Sequence, residues 1–148
     1  MLQLFLRHPW LRRLSAAILG LLLGVTLVAA WGSWNARGLR VLAADLRLAY
    51  ETHDAAAMER LFCWDGVDAT TRARIRLVIL QEYELPVASV VVRPLTAFDR
   101  QTGPGLRPNL TPEGTIEVTF ATADRLSAAY LAGRDGFRHR LIVLLPAN

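Results

Sequence analysis

No charged side chain stands between Arg13 and Arg37, no lysine occurs anywhere in the 148 residues, and cysteine occurs once, at Cys63. Each shortage excludes something. A single cysteine cannot close an intrachain disulfide, so the fold must rest on its core alone. Far downstream of the charge-free run, Cys63 also cannot be a lipid-modified cysteine at the end of a signal segment. Between Phe62 and Trp64 it reads as a small buried hydrophobe. Three histidines and that one cysteine, without paired spacing, supply no metal-ligand set, and no residue constellation calls for a cofactor. All 17 basic residues are arginine, which reads as compositional preference, because arginine's advantage in bidentate pairing would otherwise have to apply at every site.

The charge balance narrows the field further. Of the net charge of +4, three arginines and no acid fall in the first 36 residues, leaving 14 arginines against 13 acids, or +1, beyond them. Nucleic-acid binding would call for a basic stripe on the domain itself, and a nearly neutral exported domain argues against it.

What is present is a membrane segment. Leu14 to Ala36 reads LSAAILGLLLGVTLVAAWGSWNA, long enough as a helix to extend about 35 Å against a hydrocarbon core of about 30 Å. Arg7, Arg12 and Arg13 precede it, against Arg37 and Arg40 beyond it. The positive-inside rule then keeps the N-terminus in the cytoplasm and places the rest outside. Trp10, Trp31 and Trp34 sit where interfacial aromatic belts belong. Bilayer contact is therefore expected through Leu14 to Trp34 as an uncleaved single-pass anchor. The alternative is a signal peptide cut after Val28-Ala29-Ala30, which would release a secreted or periplasmic domain. Gly20 and Gly24 give a Gly-x-x-x-Gly spacing that permits a homodimer through the span. The chain thus divides into 1–36, a cytoplasmic stub and span, and 37–148, a single exported domain.

Within that domain, Leu39, Leu42, Ala43, Leu46, Ala49 and Tyr50 recur at spacings of three and four, predicting a helix from about Gly38 to Thr52. Arg47 and Glu51 can pair at i,i+4 on another face. His53-Asp54 breaks the pattern, and Asp54 is suited to cap a short helix through Ala57, Met58, Leu61 and Phe62. Asp65-Gly66 makes a turn. Asp68 caps a third helix with Ile75, Val78, Ile79 and Tyr83 inward and Arg72 and Arg76 outward, ended by Pro86.

From Val87 the period changes. Val87–Val92 is β-branched, Thr115–Thr122 alternates, and Leu126–Ala132 and Phe137–Leu145 are joined through Gly133-Arg134-Asp135-Gly136 as a hairpin. Thr96–Gly114, rich in proline and glycine, reads as a long irregular connection. Helices followed by strands predict an α+β domain, with about three helices packed on a four-stranded, mostly antiparallel, curved sheet after the N-terminal transmembrane helix.

The stretch Leu48-Ala49-Tyr50-Glu51-Thr52-His53-Asp54-Ala55-Ala56-Ala57-Met58-Glu59-Arg60-Leu61-Phe62 resembles the opening of nuclear transport factor 2-like domains, including the polyketide-cyclase-like and ketosteroid-isomerase-like members. The resemblance covers about 15 residues directly and the rest by element order. It implies strands curling into a cone around a pocket. The chain departs from the family in two ways: Cys63–Asp68 is too short for the hairpin that members place between the second and third helices, and no acid–histidine motif of the catalytic members is visible. Membrane-anchored versions of the fold occur as assembly components of bacterial secretion machines, which is analogy alone.

Four residues are candidates for lining a ligand site: Tyr50, Trp64 and Tyr130, apolar rings with polar tips, and His139, which alternation places beside Phe137, Leu141 and Val143. For each, a core role competes, since aromatics dominate small cores and apolar-face histidines are commonly hydrogen-bonded. No catalytic set is assigned. His53 beside Asp54 reads as part of the cap, and Arg138 with Arg140 reads either as cross-strand partners of Glu117 or as an anion patch. The leading expectation is a membrane-anchored, non-enzymatic domain that binds a protein partner or a small apolar ligand outside the cytoplasm. The alternatives are a cone-pocket enzyme of isomerase or cyclase type with His139 or Glu117 as base, and a subunit of an envelope assembly.

Overall fold

The computed structural model describes residues 35–101 and 103–147, together with Thr26 and Gly32. Contacts divide the chain into Met1–Arg37 and Gly38–Asn148. Among the described residues no helix is long and apolar enough to cross a membrane. The run Leu14–Ala36, with its Gly20/Gly24 spacing and its small-residue site, lies outside the described residues except at Thr26, Gly32, Asn35 and Ala36.

The unit Gly38–Asn148 is α+β, with three helices among the described residues and a curled antiparallel sheet. Helix α1 (35–52) buries its whole periodic stripe, Leu39, Leu42, Ala43, Leu46, Ala49 and Tyr50, each no more than 7% exposed. Its three stripe leucines alone represent roughly 5–9 kcal/mol of transfer free energy. Arg47 Nε donates to Glu51 at 2.7 Å on the outer face. His53 ends the helix in the left-handed region at φ +52 and donates from Nε2 to the Tyr83 carbonyl at 3.0 Å. The Asp54 carboxylate then accepts from the Ala57 N–H at 2.9 Å to start α2 (Ala55–Leu61), and Asp68 does the same for Thr71 at the head of α3 (Ala69–Glu82). Both caps satisfy N–H groups that have no partner inside the helix.

Six strands follow: β1 (Val87–Arg93), β2 (Leu106–Pro108), β3 (Pro112–Phe120), β4 (Ser127–Asp135), β5 (Arg138–Leu141) and β6 (Leu144–Pro146). The main sheet has the order β1-β3-β4-β5 and is antiparallel throughout. Register shifts at Val87/Ser89 and at Pro112/Gly114 bend two of its strands, the usual effect of an extra residue in a ladder. Ile116, Val118, Phe120, Ala132 and Leu141 form its buried side within the core cluster that includes the α1 stripe.

Three expectations are corrected. The connection Thr96–Gly114 is not wholly irregular: Leu106–Pro108 pairs with Leu144–Pro146 as a second, two-stranded sheet, and Pro112 already belongs to β3. The expected strand Phe137–Leu145 is two strands, interrupted at Ile142-Val143, where Asn109 intervenes. Its backbone N–H donates to the Val143 carbonyl at 3.0 Å, its Oδ1 accepts from the Val143 N–H at 2.9 Å, and its Nδ2 donates to the Cys63 carbonyl at 2.8 Å. The hairpin loop is Gly136-Phe137, not Gly133–Gly136, because Asp135 pairs directly with Arg138. Gly136 lies at φ +60 while Phe137 does not, as a II′ turn requires. Phe137 is therefore fully exposed in the turn rather than on the inner face with His139.

Gly133 is required by close approach. A Cβ there would lie 2.4 Å from the Thr111 carbonyl oxygen, a backbone atom that cannot swing aside. Gly133→Ala should cost about 1–3 kcal/mol by overpacking, read as a lowered urea midpoint by far-UV circular dichroism. An unchanged midpoint would show that the β3–β4 end can spread.

Candidate functional site

Helix α3 organises the surface. At 3.6 residues per turn, residues four apart share a ridge, and α3 carries three such ridges side by side: Arg72-Arg76-Leu80, Thr71-Ile75-Ile79 and Arg74-Val78. Only the middle one reaches the core, and only Ile79 is fully buried. Val78, expected inward, is 47% exposed because it belongs to the flanking ridge. Each flank borders a cavity.

On the Val78 side is an apolar cavity of about 310 Å³, walled by Phe62, Ile75, Ile79, Tyr130 and Val143, with Thr71 and Arg74 also lining it. Tyr130 leads inward to a half-buried polar cluster. Glu82 Oε2 accepts hydrogen bonds from both the Tyr50 and Tyr130 hydroxyls, whose oxygens lie 2.6 Å apart. This joins α1, the last residue of α3 and β4. Burial pushes the Tyr50 phenol far up, reinforced by Tyr130 and Glu82, and pushes Tyr130 up as well, with Glu82 adding to it. Tyr83 packs edge-on to Tyr50 at 5.6 Å, and burial, helped by the charge of Asp54, pushes its phenol up to about 12.

On the Arg72 side is an open cleft of about 790 Å³ between α2, α3 and β5. Its floor is Phe62 and Trp64, whose rings lie 5.3 Å apart. Trp64 Nε1 donates to the Glu59 carbonyl at 2.7 Å, and the Arg72 guanidinium stacks 4.7 Å over the indole. The Glu59 side chain, only 9% exposed, accepts from Arg72 Nη2 at 3.1 Å and from Arg76 Nε. Burial alone would raise its carboxyl, but the bonds from Arg76 and Arg72 outweigh burial and hold it below its ordinary value. Arg60, Arg138 and Arg140 complete the rim.

The four expected ligand-site residues do not converge on one point. Tyr50 and Tyr130 touch through their hydroxyls, Tyr130 lines the apolar cavity, and Trp64 lines the arginine cleft. Phe62 connects the two, 6.2 Å from Tyr130 and 5.3 Å from Trp64. His139 is elsewhere. Its side chain is 3% exposed, its Nε2 lies 2.9 Å from Glu113 Oε2, and it borders neither cavity. A Cβ on Gly38 would fall 2.2 Å from its Nδ1, so α1 presses directly on the ring. Glu117 faces away from the core and accepts from Arg93 Nε at 3.0 Å. It is not the partner of Arg138 or Arg140: Arg140 Nε lies 2.8 Å from Asp135, and Arg140 Nη1 donates to the Arg60 carbonyl at 2.7 Å. Cys63 is buried and free. Among the described residues no three His, Cys, Asp or Glu side chains converge as metal ligands.

Two residues here escape a sequence reading. Glu82 had a faint signal, since an acid in the last turn of a helix opposes the macrodipole unless something holds it. Glu59 had none, its partners lying 13 and 17 positions on. No family model matches the chain, and no curated protein matches it.

All three tyrosines of the chain are harder to ionise folded than unfolded. Their contribution to stability is complete below the unfolded value of 10 and is lost as pH climbs beyond it, with that of Tyr83 going first, by about 12. An alkaline titration should show little tyrosinate absorbance at pH 10, then a rise that coincides with loss of circular dichroism. Tyrosinate appearing near pH 10 in intact protein would contradict this burial.

Proposed function

We propose that this chain is a binding module rather than an enzyme, anchored by Leu14 to Trp34 and displaying its α+β domain on the outer side of the cytoplasmic membrane. The domain is read as a nuclear transport factor 2-like cone whose partner is a protein of the cell envelope or, in the apolar cavity alone, a small apolar ligand. The observation that carries the reading is the outer surface of α3. Leu77, Val78 and Leu80 stand 62, 47 and 46% exposed there, with Val78 lining the apolar cavity and Leu80 the arginine cleft. Contiguous exposed apolar side chains next to concave surface mark interaction sites more than solvated surface. Subunit membership in an envelope assembly is the same reading with a permanent partner.

Enzyme chemistry of isomerase or cyclase type is the second reading, favoured by one observation. Tyr130 lines the apolar cavity, and its hydroxyl is bound to a carboxylate. A base with access to that cavity is what this reading still needs, because His139 is sealed against Glu113 and Glu117 is paired with Arg93.

A photoreactive residue replacing Val78 in the full chain, expressed in its own membranes, should cross-link to an envelope protein or a small apolar molecule identifiable by mass spectrometry. Ile75→Trp, which fills the cavity, should lower that yield at least fivefold without lowering the melting temperature. Equal yield with the cavity filled would remove the cavity from the binding site. N-terminal sequencing of the membrane fraction should begin at or next to Met1; a start at Trp31 would replace the anchor with a released domain.

A further inference from the structure

The arginine cleft carries more cation than its carboxylates neutralise. Five arginines border it, and three carboxylates serve them. Glu59 takes Arg72 and Arg76, Asp135 takes Arg140 at 2.8 Å, and Asp54 lies 3.9 Å from Arg60. Arg138 has no ion-pair partner among the described residues, so the local excess is two positive charges in a domain whose total is only +1. The guanidinium groups are also presented outward. The Glu59 carboxylate is nearly sealed while the side chains of Arg72 and Arg76 are 52 and 61% exposed, so the carboxylate supports the cations from beneath. Arg76 uses Nε and Arg72 uses Nη2 for Glu59, which leaves most of the five N–H donors on each available to another acceptor.

Between those cations lie apolar strips, formed by Leu80 and the Phe62–Trp64 floor. We infer that the cleft between α2, α3 and β5 binds an acidic peptide segment of a partner protein, with Asp or Glu carboxylates on Arg60, Arg76 and Arg138 and an apolar side chain between them on Trp64 and Leu80. The inference rests on the binding-module reading and narrows its partner. Carboxylates fit better than phosphates because beside the rim arginines Arg140 and Arg60 stand the exposed acids Asp135 and Asp54. Singly charged acceptors spaced along a chain avoid them, whereas a compact doubly charged group meets them. A planar lipid surface fits less well because it meets only the rim arginines Arg60, Arg138 and Arg140, whereas a chain lying in the cleft also reaches Arg76 and the apolar strip of Trp64 and Leu80. Desolvated guanidinium–carboxylate pairs give such a contact specificity and a salt-dependent association rate.

The test uses the full chain in neutral phosphatidylcholine nanodiscs, with empty discs as blank, and the anisotropy of a fluorescein-labelled octapeptide of alternating glutamate and leucine. It should bind at least tenfold more tightly than the glutamine–leucine counterpart and weaken as salt is raised. Arg60→Gln and Arg138→Gln, both on the rim and outside the core, should each weaken it about fivefold, and Arg138→Glu, which cancels the local excess, should abolish the preference over the glutamine–leucine peptide. Equal affinity for the glutamine peptide, or full affinity in the two glutamine variants, would overturn the inference. Displacement by inorganic phosphate at lower concentration than by glutarate, or by anionic phosphatidylglycerol discs, would also overturn it in favour of a phosphate or lipid site. The Val78 cross-link separates the two levels. Peptide failure with the cross-link retained removes the acidic segment and keeps the module; loss of both removes both.

Discussion

The contact on which the rest of the domain depends is the sharing of one carboxylate, Glu82, by the hydroxyls of Tyr50 and Tyr130. A half-buried carboxylate is stabilised when its oxygens accept hydrogen bonds, and two phenols from different elements donate to its Oε2. The consequence is geometric. Tyr50 closes the C-terminal end of α1, Tyr130 stands on β4, and Glu82 is the last residue of α3, so the helix that meets the core through little more than Ile79 is held at its far end by polar contacts. Those contacts set the roll of α3, and the roll decides which ridge faces the sheet and which two become cavity walls.

Local features of the α+β unit were the legible ones. The α1 stripe is readable because a helix facing a single core repeats every three to four residues, and both aspartate caps are readable because a cap is satisfied within three residues of itself. The second sheet was not readable. Leu106–Pro108 sits among prolines and glycines and becomes a strand only because Leu144–Pro146, nearly forty positions on, offers its edge. Phe137 misled for a related reason. Alternation assumes a continuous strand, whereas Asp135 pairing with Arg138 spends positions 136 and 137 on the turn.

Site residues divide along the same line. Tyr50, Trp64 and Tyr130 were recognisable as rings with polar tips, but which cavity each borders follows from contacts between elements far apart in sequence. Alternation puts the His139 side chain with Leu141 on the inner side of its strand, but there it meets Glu113 and the close approach of Gly38 rather than a cavity. Counting charges along the chain likewise hid the cleft. Near-neutrality of the whole is compatible with local excess when balancing acids are engaged elsewhere, as Asp99 and Glu117 are around Arg93.

Glu59 shows why such an excess can persist. Five guanidinium groups crowded on one cleft repel one another, and an exposed counter-charge would be screened and mobile, adding little. Placed beneath them, held by two arginines and with its own backbone carbonyl bound by Trp64, the carboxylate fixes Arg72 and Arg76 in position while leaving their outer edges in water. Stacking of Arg72 on the Trp64 face orders that side chain further. The cations are thus preorganised by groups that do not compete for their exposed donors, which lowers the ordering cost an incoming carboxylate would otherwise meet.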